Sequence, residues 1–339
     1  MQHVFLIRRL VACCLAALLF MGIAAGTGGY AAAATSSAAP PDTTESDVAY
    51  RVYTADGTPA SLDAVAATLD TVDVMLLGEV HEQPGIHALQ DSLWQRALNA
   101  PDSRPAALSL EMFERDVQPV LDEYLAGLIT ENHFLQASRP WSNYVRDYHP
   151  LVESARAAEA AVLAANAPRR YVNRVAREGR TALNALPASA CNWLPPLPYP
   201  EATNAYRDRF LAQMHGGAHP TNHAPSDTTD AHTTREADPP DSPHGHGEGM
   251  TRLLDAQTLW DATMAYAMAE HLLRTPDARI VHLTGRFHVA QRTGTPDALR
   301  HYRPDVRQLV VYFDVVADPD RFDENAHANR GDFVVLVEN

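Results

Sequence analysis

Four Glu and His side chains lie where predicted strands end, and their types and spacing could do chemistry. Glu79 and His81 close one apolar run, Glu111 lies in a second, and His288 follows a third. Because Glu79 and His81 are two residues apart, an extended backbone turns both side chains the same way. Two His and two Glu at one place could ligate a metal such as Zn, Mn or Co. They could also hold a water between a base and an electrostatic partner.

A sheet must bring these residues together, and the sequence predicts one. The strand candidates are 50–54, 72–80, 106–112, 161–166, 279–285, 307–315 and 332–338. They alternate with helical segments, one of which has Asp116 as its predicted N-cap. This order predicts an α/β fold with a mixed, mainly parallel central sheet flanked by helices. In such a sheet, ligands lie at the carboxyl ends of the strands.

The start of the chain has the pattern of an export signal. Residues 1–40 hold no Asp or Glu, and Arg8 and Arg9 precede an apolar run of about sixteen residues. That run is shorter than the ~20 residues that a membrane-spanning helix needs. We expect cleavage near Ala34, with lipidation at Cys13 or an uncleaved anchor as alternatives. The protein is then exported, to the periplasm or to the periplasmic side of a membrane.

The rest of the chain is predicted to be one α/β domain. A signal at 1–34 and a polar linker at 35–47 precede a domain at 48–339. The segment 215–249 holds five Pro, five Gly, six His and six acidic residues, and its only apolar residues are alanines. Such a composition cannot bury a core, so we expect a disordered, His-rich insertion that could collect metal loosely.

Charge excludes some function classes. All 27 basic residues of this 339-residue chain are Arg, against 42 acidic residues, for a net charge of −15. A lysine nucleophile or Schiff base is therefore excluded. A strongly acidic chain repels a phosphate backbone, so we expect no nucleic-acid partner.

Six ordered blocks of the chain carry a family resemblance. They are LLGEVHEQPGIHALQ, SLEMFERDVQPVLDEYLAG, RPWSNYVRDYHPLVE, AANAPRRYVNRVAREG, AQTLWDATMA and LTGRFHVA, within about residues 45–315. Together they resemble the ChaN-like haem-binding uptake proteins, in the superfamily that also contains the Tiki and TraB proteins and the erythromycin esterases. The resemblance implies an exported, often lipid-anchored protein that binds haem and pairs as a homodimer around it. It also implies a role beside an outer-membrane haem or iron uptake system.

The resemblance also implies roles for the strand-end residues. By analogy with hydrolytic relatives, Glu79, His81, Glu111 and His288 match a polar site that holds a metal or activates water. Because the six blocks are most similar to the haem-binding branch, the resemblance implies a haem-binding protein rather than an enzyme. The alternative is a metal-dependent or water-activating hydrolase of an ester or peptide, with His81 or Glu111 as base. A third reading is a low-specificity metal collector that acts through the insertion.

Haem needs an axial ligand and partners for its two propionates. Tyr144, Tyr148, Met214 and His215 are candidates for the iron, and the sequence leaves the choice among them open.

Without lysine, the propionates must be met chiefly by arginine, whose planar guanidinium suits a carboxylate. Arg170, Arg174 and Arg177 are spaced i, i+4 and i+7, so they share one face of a predicted helix. These three arginines are the candidate propionate site.

Overall fold

The computed structural model describes residues 43–102, 104–215 and 245–339. The predicted signal, most of the predicted linker and residues 216–244 of the predicted insertion lie outside these ranges. Residues Glu45–Asp47, at the end of the predicted linker, form a short 3-10 turn. Glu45 in this turn accepts hydrogen bonds from Tyr50 and Arg96, which tie the turn to the residues that follow.

The strands form one eight-stranded sheet. They are β1 (Tyr50–Thr54), β2 (Pro59–Ala60), β3 (Val74–Glu79), β4 (Ala106–Glu114), β5 (Ala161–Asn166), β6 (Arg279–Gly285), β7 (Gln308–Val316) and β8 (Phe333–Glu338). Their order is β2-β1-β8-β7-β3-β6-β4-β5. Pairing is parallel from β8 to β5, whereas β1 runs antiparallel to both of its neighbours. The predicted mixed, mainly parallel sheet is confirmed.

Helices flank this sheet. They are α1 (Leu62–Ala67), α2 (Pro84–Leu98), α3 (Gln118–Leu125), α4 (Glu131–Ser138), α5 (Tyr144–Asp147), α6 (His149–Ala157), α7 (Arg169–Glu178), α8 (Ala188–Cys191), α9 (Asn204–His215), α10 (Gly245–Arg274), α11 (Thr295–Tyr302) and α12 (Glu324–His327). Among the described residues, no helix is both long and apolar enough to cross a membrane.

Both faces of the sheet are buried, and alternate residues of a strand go to different cores. Met75 and Leu77 of β3 pack in the core that includes α2 and α6, whereas Val74 and Leu76 pack with α10 and α11. A strand covered on both faces must be apolar at every position, which explains the continuous apolar runs in the sequence.

Two predicted details differ from the structure. Asp116 does not cap a helix: it lies in a 3-10 turn, α3 begins after Val117, and the Asp116 carboxylate pairs with Arg139 and Arg170 instead. The predicted end of the insertion at residue 249 is too late, because residues 245–249 form the first turn of α10. Glycine is a poor helix former, so the sequence of this turn alone did not predict a helix.

A close approach at Gly78 holds the end of β3 against the segment after β6. A Cβ added at Gly78 would lie 2.3 Å from Cγ2 of Val289 and 3.0 Å from the Cα of Arg286. Real side-chain carbons do not come that close, so only glycine admits this packing. The 3-10 turn Arg286–His288 thereby lies directly beside the strand that carries Glu79.

Candidate functional site

The sheet brings the four strand-end residues to one place. Strand β6 lies between β3 and β4, and Glu79 is in register with Gly285. Glu79 therefore ends beside the turn that carries His288, and Glu111 reaches the same place from the other neighbour of β6. We call Glu79, His81, Glu111 and His288 the polar rim.

Glu79 is a buried carboxylate with a full set of donors. Its Oε1 accepts hydrogen bonds from the Tyr148 hydroxyl at 2.5 Å and pairs with Nδ1 of His81 at 2.8 Å. Its Oε2 accepts from the amide of Gln90 at 2.9 Å, and Nδ1 of His87 lies 3.6 Å away. Only 1% of Glu79 is exposed, so these partners replace water around the charge.

His81 is the most exposed member of the polar rim. Burial lowers its pKa, but the hydrogen bond and the charge of Glu79 outweigh this and raise the pKa to about 8. Its ring meets Trp141 edge-on, with the centroids 5.0 Å apart. A Cβ at Gly285 would lie 3.0 Å from Nε2 of His81, so glycine leaves room for the imidazole. At neutral pH the ring is therefore a cation held beside two carboxylates.

Glu111 lies between the two histidines. The backbone N–H of Gly285 donates to its Oε2 at 2.7 Å, and the Thr284 hydroxyl donates to the same oxygen at 2.6 Å. Burial raises the pKa of Glu111, but His288 and His81 together with these bonds lower it below its ordinary value. The other oxygen, Oε1, is 3.7 Å from Nε2 of His288. Glu111 is thus an anion with one oxygen fixed and one directed at an imidazole.

His288 is oriented by Asp261 of α10. Nδ1 of His288 is 2.9 Å from Oδ1 of Asp261, which also accepts from the Thr295 hydroxyl at 2.8 Å. Oδ2 of Asp261 accepts from the Tyr206 hydroxyl at 2.5 Å. Burial lowers the pKa of His288, but Asp261 and Glu111 outweigh it and raise the value above normal. Each rim histidine therefore has its own carboxylate, and Glu111 stands between the two pairs.

Sequence reasoning missed Asp261 and its neighbour Gln257, whose amide lies 3.3 Å from Nε2 of His288. A signal was present, because the two residues are four apart in the block AQTLWDATMA and so share one helix face.

The described residues contain no group of three or more His, Cys, Asp or Glu arranged to hold a metal ion. The polar rim has the right residue types, but its ring nitrogens face carboxylates in pairs. The described part of the chain therefore gives no support to the alternative of Zn, Mn or Co. The histidines 219, 223, 232 and 244 of the predicted metal collector lie outside the described residues.

Comparison with known proteins decides the family. A family model described as haem-binding uptake, Tiki superfamily, ChaN matches residues 65–299. The chain belongs to this family. No curated protein matches the chain.

Solved structures resemble this chain to different degrees. ChaN of Campylobacter jejuni, in a structure of cofacial haem binding, is 17% identical with a TM-score of 0.60, over 86% of this chain and 97% of that one. The type III effector HopBA1 is 13% identical with a TM-score of 0.44, over 82% and 93%. A mutant of erythromycin esterase EreC in its open conformation is 10% identical with a TM-score of 0.43, over 79% and 78%. At 17% identity, the likeness to the Campylobacter jejuni protein shows the fold alone.

Both tyrosines that were predicted as iron ligands are buried in the core of the domain. Tyr148 is completely buried, and its hydroxyl donates to Glu79. Tyr144 is 1% exposed and packs against Phe113 and Phe134. Met214 packs partly buried beside Phe210, and the side chain of His215 lies outside the described atoms. The Tyr148 hydroxyl is thus engaged by Glu79, whereas the Tyr144 hydroxyl is buried without a hydrogen-bond partner among the described residues.

The predicted arginine helix face exists in α7, but acids occupy much of it. Arg170 pairs with Asp116 at 2.6 Å, and Arg174 pairs with Glu178 at 3.2 Å. Arg177 is 67% exposed and lies 4.0 Å from Glu178. The charges of these guanidiniums are therefore partly neutralised by neighbouring carboxylates. Of the three, Arg177 is the most exposed to a ligand.

The pKa of His81 predicts a pH-dependent stability. The folded chain keeps this proton up to about pH 8, against 6.5 for an ordinary histidine. The stabilisation is therefore complete below pH 6.5 and is lost as pH rises through 8, and it amounts to roughly 2 kcal/mol. Urea unfolding at pH 6 and pH 9 should show that His81→Gln lacks this loss, whereas the exposed control His133→Gln keeps it. Equal pH dependence in wild type and His81→Gln would contradict the assignment.

Proposed function

We propose that this protein binds haem and takes part in haem or iron uptake. The observation that carries the proposal is the match of residues 65–299 to the haem-binding ChaN family. The fold supports it, because the chain shares its architecture with a ChaN protein solved in cofacial haem binding. A pair of subunits around haem is part of the same proposal.

The hydrogen bonds and burial of the candidate side chains bear on which of them could ligate the haem iron. An iron ligand must present an unshared donor atom, and the propionates need cations within reach. The Tyr148 hydroxyl does not meet the first condition, because it donates to Glu79. The Tyr144 hydroxyl has no hydrogen-bond partner among the described residues, but it is buried. In the polar rim, Nδ1 of His81 is paired with Glu79, and its Nε2 lies beside Gly285.

Haemin titration of the purified mature protein tests haem binding. We expect a saturable shift of the Soret band with a defined stoichiometry, because a built site fills at a fixed ratio. A variant with serine in place of His219, His223, His232 and His244 should give the same curve, since haem is proposed to bind the folded domain. A wild-type chain that gives no saturable shift would refute the proposal. A shift that disappears in the serine variant would assign haem to the insertion instead.

Export is part of the proposed function. The observation behind it is the N-terminal pattern of two arginines, an apolar run and small residues up to Ala34. The mass of the mature chain recovered from the periplasmic and membrane fractions tests it. We expect a soluble chain that begins near residue 35. A lipid adduct on Cys13 would show membrane anchoring, and an unprocessed chain in the cytoplasm would contradict export.

Hydrolysis is the second candidate function, and the arrangement around Glu111 favours it. Glu111 is held as an anion, with Oε1 directed at His288 and with the His81 cation nearby. In this proposal Glu111 takes a proton from a water, while the protonated His81 stabilises the negative charge that develops on an ester or peptide carbonyl. Both histidines keep their orientation through Glu79 and Asp261.

Ester hydrolysis by the purified protein tests this second function. A chromogenic ester should be cleaved by the wild type, and Glu111→Gln should lower the rate at least about a hundredfold because the base is lost. The exposed Glu123→Gln is the matched control and should keep the wild-type rate. Activity that survives in Glu111→Gln would rule out this base, and an inactive wild type would leave haem binding as the sole proposal.

A further inference from the structure

Three arginines from separate elements meet around Tyr312, next to the turn that carries His288. Arg209 lies in α9, Arg286 begins the 3-10 turn after β6, and Arg330 lies in the loop before β8. Tyr312 is a residue of β7 and is 7% exposed. We call Arg209, Arg286 and Arg330 the arginine cluster.

Arg209 is a partly buried cation without a carboxylate partner among the described residues. Its guanidinium donates to the carbonyl of Phe287 at 2.5 Å and to the hydroxyl of Thr293 at 2.7 Å, and both acceptors are neutral. Its Nε is buried without a partner in the described part of the chain. Burial lowers the pKa of this guanidinium, and Asp261 attracts the charge without pairing with it. Removing a cation from water without a counterion costs free energy, which a bound anion would offset.

Arg330 also lacks an acidic partner. Its Nε donates to the carbonyl of Ala326 at 2.7 Å, and its guanidinium forms no ion pair with a described residue. The backbone carbonyl of Arg330 accepts from the N–H of Gln291 at 2.8 Å. A Cβ added at the next residue, Gly331, would lie 3.2 Å from the backbone nitrogen of Tyr312, so this segment lies directly beside β7. In a chain with 42 acidic and 27 basic residues, two neighbouring arginines without acids indicate an anion from outside the chain.

The third arginine of the cluster is paired with an acid. Arg286 donates to the carboxylate of Asp314, and its guanidinium carbon lies 5.6 Å from the centre of the Tyr312 ring. Burial raises the pKa of the Tyr312 hydroxyl, while all three arginines of the cluster act to lower it. The hydroxyl is a further hydrogen-bond donor at the same place. Because Asp314 neutralises Arg286, the cluster keeps two uncompensated positive charges.

A phosphate group matches these charges and donors. Guanidinium groups bind phosphate oxygens through charge-assisted hydrogen bonds. A phosphate monoester carries about −1.5 to −2 charges at pH 7, which balances two cations, whereas a single carboxylate would leave one cation unpaired. The net charge of −15 disfavours a polyanion, so the phosphate is the free ion or belongs to a small molecule.

We propose that the arginine cluster and Tyr312 form a binding site for a phosphate group, either as the free ion or on a small molecule. Because Arg209 holds the carbonyl of Phe287, a bound phosphate lies beside the turn that carries His288. The inference goes beyond the proposed functions, since neither haem nor an ester enters it or its test.

Titration calorimetry of the full chain with inorganic phosphate and with phenyl phosphate tests the site. We expect saturable binding at one equivalent per chain, and weaker binding of acetate at the same ionic strength. Arg330→Gln and Arg209→Gln should each raise the dissociation constant at least about tenfold, because a charge-assisted hydrogen bond is lost. Arg207→Gln is the matched control: this residue is exposed on the other side of α9, and the variant should bind as the wild type does.

The two probes distinguish the sources of the phosphate. Tighter binding of phenyl phosphate supports the site as one for a phosphorylated organic molecule, and tighter binding of inorganic phosphate supports it as one for the free ion. No saturable binding of either probe would overturn the proposal, and so would affinities that are unchanged in both Arg209→Gln and Arg330→Gln. If Arg209→Gln does not fold by circular dichroism, Arg330→Gln decides: a tenfold weaker affinity supports the site, and an unchanged affinity overturns it.

Discussion

The buried charge of Glu79 is the constraint on which the rest of the site depends. A carboxylate without partners at this depth would cost several kcal/mol, so the fold must supply donors. They come from separate elements: His81 follows the same strand, Gln90 lies in α2, and Tyr148 precedes α6. The helices on this side of the sheet therefore dock in one arrangement around the end of β3.

On the other face of the sheet, a second buried carboxylate, that of Asp261, is also surrounded by donors from separate elements. Its donors are Tyr206 of α9, Thr295 of α11 and His288 of the turn after β6. Glu111 stands between the two buried carboxylates and receives the charge of both rim histidines. Because each imidazole is held by its own carboxylate, the charge on Glu111 couples the two helical layers across the end of the sheet.

The order of apolar and polar residues along the chain predicted much of this fold. A strand that is buried on both faces of a sheet is apolar at every position, so it can be recognised from residue types alone. Strands at 50–54, 161–166 and 279–285 match their predicted bounds, and the convergence of polar residues follows from parallel pairing. Contacts between side chains that are distant in the sequence could not be predicted in this way. Tyr148 looked like an available ligand by residue type, yet packing buries it against Glu79. Asp116 had the type and place of a cap, but two distant arginines take its carboxylate.

Helix α10 contributes to the polar rim through Asp261, whose Oδ1 lies 2.9 Å from Nδ1 of His288. Tyr206 and Thr295 donate to the same carboxylate, so it is fixed from three sides. Because the polar groups of the rim satisfy one another, an external ligand would have to displace hydrogen bonds already made, at a cost in free energy.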